Sequence, residues 1–285
     1  MEEPEGFASE GNKVWRLCMS LYGLKQAPRL WNRKFLSFLK TTDLKISKHD
    51  QCVFNKLNPL VVMAIYVNDG IIFADRKSEI ENLLVQLKSA FDIHEEGNET
   101  YLGFQIERSS DKSIYLHQEA YIRKILQKFN MDAATPAPTP VALGKLSLSN
   151  EPFLDNEVYR AAVGSLMYAA TTTRADIAYA VNRVSRKIEN PSIGDWADMK
   201  RIFCYLNDKR KLGLRYEGGT GTLTTYCDAD FAGDQSAKST TGLAIKIGGS
   251  MIHWKSERQK IVTLSSTEEH DSRTFGLPPS TPAAS

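Results

Sequence analysis

The stretch Leu60-Val61-Val62-Met63-Ala64-Ile65-Tyr66-Val67-Asn68-Asp69-Gly70-Ile71-Ile72-Phe73 decides how the first part of this chain is read. Its two apolar runs, Leu60–Tyr66 and Ile71–Phe73, are short and rich in β-branched residues. Runs of that length and composition read as buried strands. Between them, Val67-Asn68-Asp69-Gly70 is turn-forming, because Asn, Asp and Gly tolerate the backbone of a tight reversal. The pair predicts a β-hairpin with Asn68 and Asp69 at its tip.

Working outward, the periodicity changes to helical on both sides. Trp31, Phe35, Phe38 and Leu39 recur at helical spacing before the hairpin, and Trp31 and Phe35 read as core residues. After it, Ser78-Glu79-Ile80-Glu81 reads as a capping box that opens a helix with Ile80, Leu83, Leu84, Leu87 and Phe91 on one face. Tyr101–Glu107 and Ser113–Leu116 predict a second hairpin, and Tyr121–Phe129 a further helix. From Met131 to Glu157 the pattern lapses into Pro136, Pro138, Pro140 and Pro152 among small residues, which predicts a linker over 132–157. Helices follow near Tyr159–Ala170, after Ala175 and after Gly194. Beyond Lys211 the period becomes two, with strands expected at 213–217, 222–228, 240–247, 250–255 and 260–265. The fold class is α/β in the broad, α+β sense.

Composition excludes several classes. The chain has 285 residues, 42% hydrophobic and 25% charged, with a net charge of +2. Those values are ordinary for a globular protein and exclude a mainly disordered or collagen-like chain. No apolar run approaches the roughly 18–20 residues of a membrane span. The acidic start Met1-Glu2-Glu3-Pro4-Glu5 lacks the apolar core of a signal peptide, so an intracellular location, cytoplasm or nucleus, is expected. Cys18, Cys52, Cys204 and Cys227 are scattered and suggest neither a zinc site nor a disulfide frame. Charge is nonetheless uneven. Lys13, Arg16, Lys25, Arg29, Arg33, Lys34 and Lys40 fall in a stretch without acidic residues, interleaved with aromatic side chains. That is a candidate nucleic-acid surface. Lys200, Arg201, Lys209, Arg210, Lys211 and Arg215 form a second basic cluster.

Several strings carry a resemblance, in order along the chain. Tyr66-Val67-Asn68-Asp69 differs by one residue from the Tyr-x-Asp-Asp turn of reverse transcriptases. Met1-Glu2-Glu3-Pro4-Glu5-Gly6-Phe7 precedes it, as does Leu21-Tyr22-Gly23-Leu24-Lys25-Gln26-Ala27-Pro28-Arg29 with Trp31. Tyr101-Leu102-Gly103-Phe104-Gln105-Ile106 is similar to a primer-grip hairpin. Gly164-Ser165-Leu166-Met167-Tyr168, Thr173-Arg174 and Asp176-Ile177-Ala178 match a connecting region. Tyr226-Cys227-Asp228-Ala229-Asp230-Phe231-Ala232-Gly233, Lys238–Gly242 and Ser265-Ser266-Thr267-Glu268 resemble the start of a ribonuclease H domain. Together the chain resembles the C-terminal part of the Pol polyprotein of copia-type LTR retrotransposons.

The resemblance implies a division and a chemistry. Residues 1–131 would be a partial reverse transcriptase (palm, primer grip and thumb start), followed by the linker. Residues 158–211 would be a helical connection, 212–271 a truncated ribonuclease H-like mixed sheet and 272–285 an unrelated, disordered tail. Tyr22, Gly23, Lys25, Gln26, Arg29, Tyr66 and Gly103 would touch nucleotide, template or primer. Asp69 and Asp228 would be catalytic, metal-binding carboxylates for Mg²⁺ or Mn²⁺, with a template–primer or RNA–DNA hybrid as partner and no membrane.

The departures from the pattern matter as much. The first aspartate of the turn is Asn68, a neutral amide, and a further family carboxylate belongs upstream of Met1. In the ribonuclease H part the motif's catalytic Glu falls by position on His270, next to Glu268 and Glu269. The resemblance stops after Asp271. The chain is therefore expected to be a degenerate copy with weak or lost metal binding. A non-enzymatic nucleic-acid-binding role is the alternative, with a partner chain covering the truncated sheet.

Overall fold

A computed structural model describes residues 16–259 except 19, 22, 98, 143–148, 219–220 and 231–237. The chain divides into two compact units, Met1–Glu96 and Gly97–Ser285.

In the first unit an antiparallel sheet runs in the order β1 (Lys45–Ile46), β2 (Val53–Leu57), β3 (Leu60–Tyr66), β4 (Asp69–Ala74). Helices α1 (Ala27–Leu39) and α2 (Lys77–Ala90) share its core. Alternation along the strands sets which face is buried. Val61 and Met63 of β3 point inward, and the register places Phe54 and Ile72 on either side of Met63. The helices answer with Phe35, Phe38, Leu83 and Leu87. Phe35 lies 5.3 Å from Phe54 and 5.8 Å from Phe91 between ring centroids, so the core is built on aromatic contacts. Trp31 is only partly core: it stacks on Phe35 at 5.2 Å yet keeps 38% of its surface exposed.

The capping box expected at Ser78–Glu81 does not form. Helix α2 begins earlier, with Arg76 at the N-cap and no side-chain cap. Glu81, the carboxylate that a box on Ser78 would need, pairs instead with Lys77 at 3.4 Å, while Glu79 lies 3.7 Å from Lys56 on β2.

The second unit contains two antiparallel sheets and a helical bundle. One sheet is β5 (Thr100–Tyr101), β6 (Phe104–Arg108), β7 (Ile114–His117) and β8 (Gly213–Tyr216). The other has the order β11 (Ser250–Arg258), β10 (Thr240–Ile247), β9 (Leu223–Asp230). All pairings among the described strands are antiparallel, where a mixed second sheet was expected. The strand expected at 260–265 lies outside the described residues.

Strand β8 corrects the sequence grouping. It pairs with β7, Leu214 opposite Leu116, and so completes the sheet of the 104–117 hairpin. Gly213 permits this approach, since a Cβ there would run into the Leu116 carbonyl and His117. The helices α3 (Glu119–Lys128), α4 (Asn156–Thr172), α5 (Ala178–Ser185) and α6 (Ile193–Asp208) share a single apolar cluster that includes Ile122, Leu126, Leu166, Val181 and Phe203. A 3-10 turn, Ala175–Ile177, joins α4 to α5. The helix read as a thumb start and the helices read as a connection are thus one bundle. The stretch read as a linker is in part packed on it. Ala137 is buried and its N–H donates to the Cys204 carbonyl at 3.3 Å, while Asn207 Nδ2 donates to the Ala134 carbonyl at 2.9 Å.

Candidate active site and nucleic-acid interface

The β3–β4 hairpin is tighter than the sequence suggested. Tyr66 pairs with Asp69, so the loop proper is Val67-Asn68, and Asp69-Gly70 already belong to β4. Val67 has φ +56 and is the loop residue with positive φ, the pattern of a II′ turn. Glycine is the usual residue there. A β-branched side chain at that φ is strained, and such strain persists only where the surrounding structure imposes it. Here the β3–β4 ladder closes directly beneath the loop.

Tyr66 and Val67 are 61% and 59% exposed, and Asn68 and Asp69 are exposed beside them. Asp69 is the carboxylate that this loop and its first strand pair present. Hard divalent cations take several oxygen ligands, mostly anionic. Asn68 supplies one neutral oxygen, and no group of three or more His, Cys, Asp or Glu side chains is clustered among the described residues. The described donor set does not fit a two-metal site.

Asp228 sits in β9 opposite Gly242 of β10, exposed, with its Oδ1 accepting from the Ala229 N–H at 2.9 Å. Tyr22, His270, Glu268, Glu269 and the Met1–Phe7 motif lie outside the described residues.

The first basic stretch is displayed as expected of a charged surface. Gly23, Lys25, Gln26 and Arg29 are exposed, as are Arg16, Arg33 and Lys40. Pro28 lies in the first turn of α1, which carries no acidic residue there. Lys34 lies 5.1 Å from the centroid of the Phe91 ring. The second basic cluster is largely paired within the chain, at the surface. Lys211 pairs with Glu107 at 2.8 Å, Arg215 with Asp111 at 2.8 Å, and Lys209 with Asp208 at 2.9 Å. Arg201 donates to Thr139 at 3.0 Å, and Arg210 Nε donates to the Asn207 carbonyl at 3.0 Å. Hydrogen bonds from Lys211 and His117 hold the Glu107 carboxyl below the ordinary Glu range.

Two residues given no individual role by the sequence stand out. Arg174 is fully buried, forks onto both oxygens of Asp176 at 3.0 and 2.7 Å, and donates to the Lys209 carbonyl at 2.8 Å. Tyr168 donates to the Leu102 carbonyl in the loop between β5 and β6, where Gly103 has φ +80. The signal was present in both cases as a quoted motif, but no spacing rule connects Arg174 with Lys209 or Tyr168 with Leu102.

The family described as reverse transcriptase (RNA-dependent DNA polymerase) matches residues 1–143. The retrovirus-related Pol polyprotein from transposon TNT 1-94 of Nicotiana tabacum is 41% identical over 285 residues, 94% of this chain and 21% of that protein. The corresponding polyprotein from transposon RE1 of Arabidopsis thaliana is 38% identical over 94% of this chain and 19% of that protein. A putative transposon Ty5-1 protein of Saccharomyces cerevisiae is 30% identical, covering 94% of this chain and 90% of its own length. The chain thus spans about a fifth of the Pol polyproteins it matches. No solved structure matches it. No helix among the described residues is long and apolar enough to cross a membrane. A match over half of the chain, and similarity to the yeast protein along nearly all of its length, agree with the ordered motifs: the chain belongs to the reverse transcriptase family of retrotransposon Pol polyproteins.

Proposed function

We propose that this chain is a reverse-transcriptase region that holds template–primer nucleic acid and does not extend it. The family works on nucleic-acid templates with divalent metal ions. The observation that carries the reading is Asn68, an amide where the family's turn has an aspartate, at the tip of a hairpin whose carboxylate is Asp69. Replacing a charged ligand by an amide removes attraction for a hard dication. Loss of one stabilising group commonly costs about 10²–10³ in rate. The exposed basic residues of α1 and the segment before it support the binding half, because phosphate contacts need charge and no special sequence. The Tyr101–Ile106 hairpin takes the primer strand in this reading.

Primer extension by the purified chain, with Mg²⁺ and separately with Mn²⁺, tests the first claim. No template-dependent product is expected, and its formation refutes the claim. The same reading takes 212–271 as a degenerate ribonuclease H-like part with Asp228 as its matched carboxylate. Cleavage of the RNA strand of a hybrid would contradict it. A partner chain covering the β9–β11 sheet is part of the proposal, because Leu223, Ile247 and Ile252 there are exposed.

A further inference from the structure

The β5–β6 hairpin turns through Leu102-Gly103, with Tyr101 opposite Phe104. Both loop residues have positive φ, +47 for Leu102 and +80 for Gly103, as in a type I′ turn. Leucine is uncommon in that region, so something outside the loop must hold it there. The holder is Tyr168 of α4, whose Oη donates to the Leu102 carbonyl. The same Oη lies 2.9 Å from where a Cβ would stand on Gly103, so a side chain there would push the phenol aside as well as strain the turn. The phenol is itself braced. Its ring meets that of Tyr121 on α3 edge-on, with centroids 4.8 Å apart. Tyr121 Oη donates to the Ser165 carbonyl at 3.0 Å. The strand leaving the turn is fastened to the same bundle, since Gln105 Oε1 accepts from the Ala120 N–H at 2.9 Å. The conformation of a two-residue loop is therefore fixed by helices far from it in sequence.

The geometry points to Tyr168 as a positioning residue that sets the hairpin tip for the primer terminus. The inference rests on the functional reading above, that the chain holds a template–primer. Tyr168 acts through the Leu102 carbonyl and touches no nucleic acid. A tip released from it would leave the charge-driven grip on duplex intact and lose the recognition of a recessed 3′ end.

The test uses the full chain and fluorescence anisotropy at fixed salt, comparing a duplex with a recessed 3′ end to a blunt duplex. The wild type is expected to prefer the recessed end. Tyr168→Phe keeps the ring and removes the donor, and should lower recessed-end affinity by about threefold to tenfold with blunt-duplex affinity unchanged. Gly103→Ala attacks the same contact from the hairpin side and should do likewise, which covers the case of an unfolded Tyr168 variant. Tyr121→Phe removes a comparable phenol hydrogen bond to a helix carbonyl and should keep the preference. Equal losses on both duplexes would reduce Tyr168 to a folding role and overturn the inference. So would a preference that survives in both Tyr168→Phe and Gly103→Ala, or a wild type that binds both duplexes alike. A wild type that binds neither duplex overturns the functional reading itself, and the inference with it.

Discussion

Arg174→Met should be the most damaging single change available in the helical bundle. The guanidinium has no exposed surface, and its contacts tie together the junction of the 3-10 turn and the end of α6. It forks onto Asp176 in the 3-10 turn, donates to the Lys209 carbonyl at the end of α6, and lies 5.7 Å from the centroid of the Tyr205 ring. Methionine fills much of the volume, so the loss is electrostatic before it is steric. It leaves the Asp176 carboxylate without its cation and the Lys209 carbonyl without its donor. Removing one partner of a buried ion pair costs about 3–5 kcal/mol. Asp176 keeps 25% of its side chain exposed and can recover some hydration, so the lower part of that range applies. In a unit of this size, about 3 kcal/mol corresponds to a fall in Tm of roughly 6–12 °C. Arg174→Lys keeps the charge and loses the fork, and should recover less than half of the loss. The assay is urea and thermal unfolding of the full chain, followed by far-UV circular dichroism and tryptophan fluorescence. A loss below about 1 kcal/mol for Arg174→Met would show that the junction is held by apolar packing alone.

Other changes probe the strands and their charges. Gly213→Ala puts a methyl group against the Leu116 carbonyl and should detach β8 from β7, seen as lost amide protection over residues 114–117 and 213–216. Unchanged protection there would mean that the β7–β8 approach has slack. Val67→Gly relieves a β-branched residue at φ +56 and should stabilise the first unit by about 0.5–1 kcal/mol in urea melts, after the flexibility glycine adds to the unfolded chain. Destabilisation would show that the valine side chain contributes more than its backbone costs. The Glu107 carboxyl is held down by Lys211 and His117, so its folded pKa lies below the ordinary Glu value. Its stabilising contribution is complete above that value and is lost as pH falls through the folded pKa. Glu107→Gln should flatten the acid limb of the stability curve below about pH 4.5 and leave its slope at neutral pH unchanged. An acid limb identical to wild type would remove Glu107 from the titration.

Local order was legible in the sequence where one element decides its own form. The apolar run Leu60–Tyr66 became β3, and the helical spacing of Ile122, Ile125 and Leu126 became α3. Partners distant in the chain were not legible. Strand 213–216 has the same alternating pattern as the strands that follow it, yet it pairs backward with β7 because Gly213 lets the two backbones close. The prolines of 132–142 marked a break in periodicity, and a break in periodicity does not distinguish a free tether from a strap packed on its neighbours. The contacts of Ala134 and Ala137 with α6 decide that, and they depend on residues distant in the chain, such as Asn207, 73 residues from Ala134.

The same division runs through the site. Asn68 and Asp69 could be placed at a hairpin tip from four consecutive residues, because the turn is encoded locally. The charge of that tip could also be read directly, as one amide and one carboxylate. What holds the second hairpin could not. Leu102 in a left-handed conformation is unfavourable by itself, and a sequence reader has no reason to place it there. Tyr168 supplies the reason from α4, and Gly103 suits both the positive φ of the turn and the close approach of the phenol. A motif string around Gly103 and another around Tyr168 are therefore two halves of one physical constraint. If substitutions at 103 and 168 are combined, their effects on the turn should not add, because either one alone already breaks the contact. A double variant, Gly103→Ala with Tyr168→Phe, that discriminates ends much worse than either single variant would show that the two strings serve separate purposes.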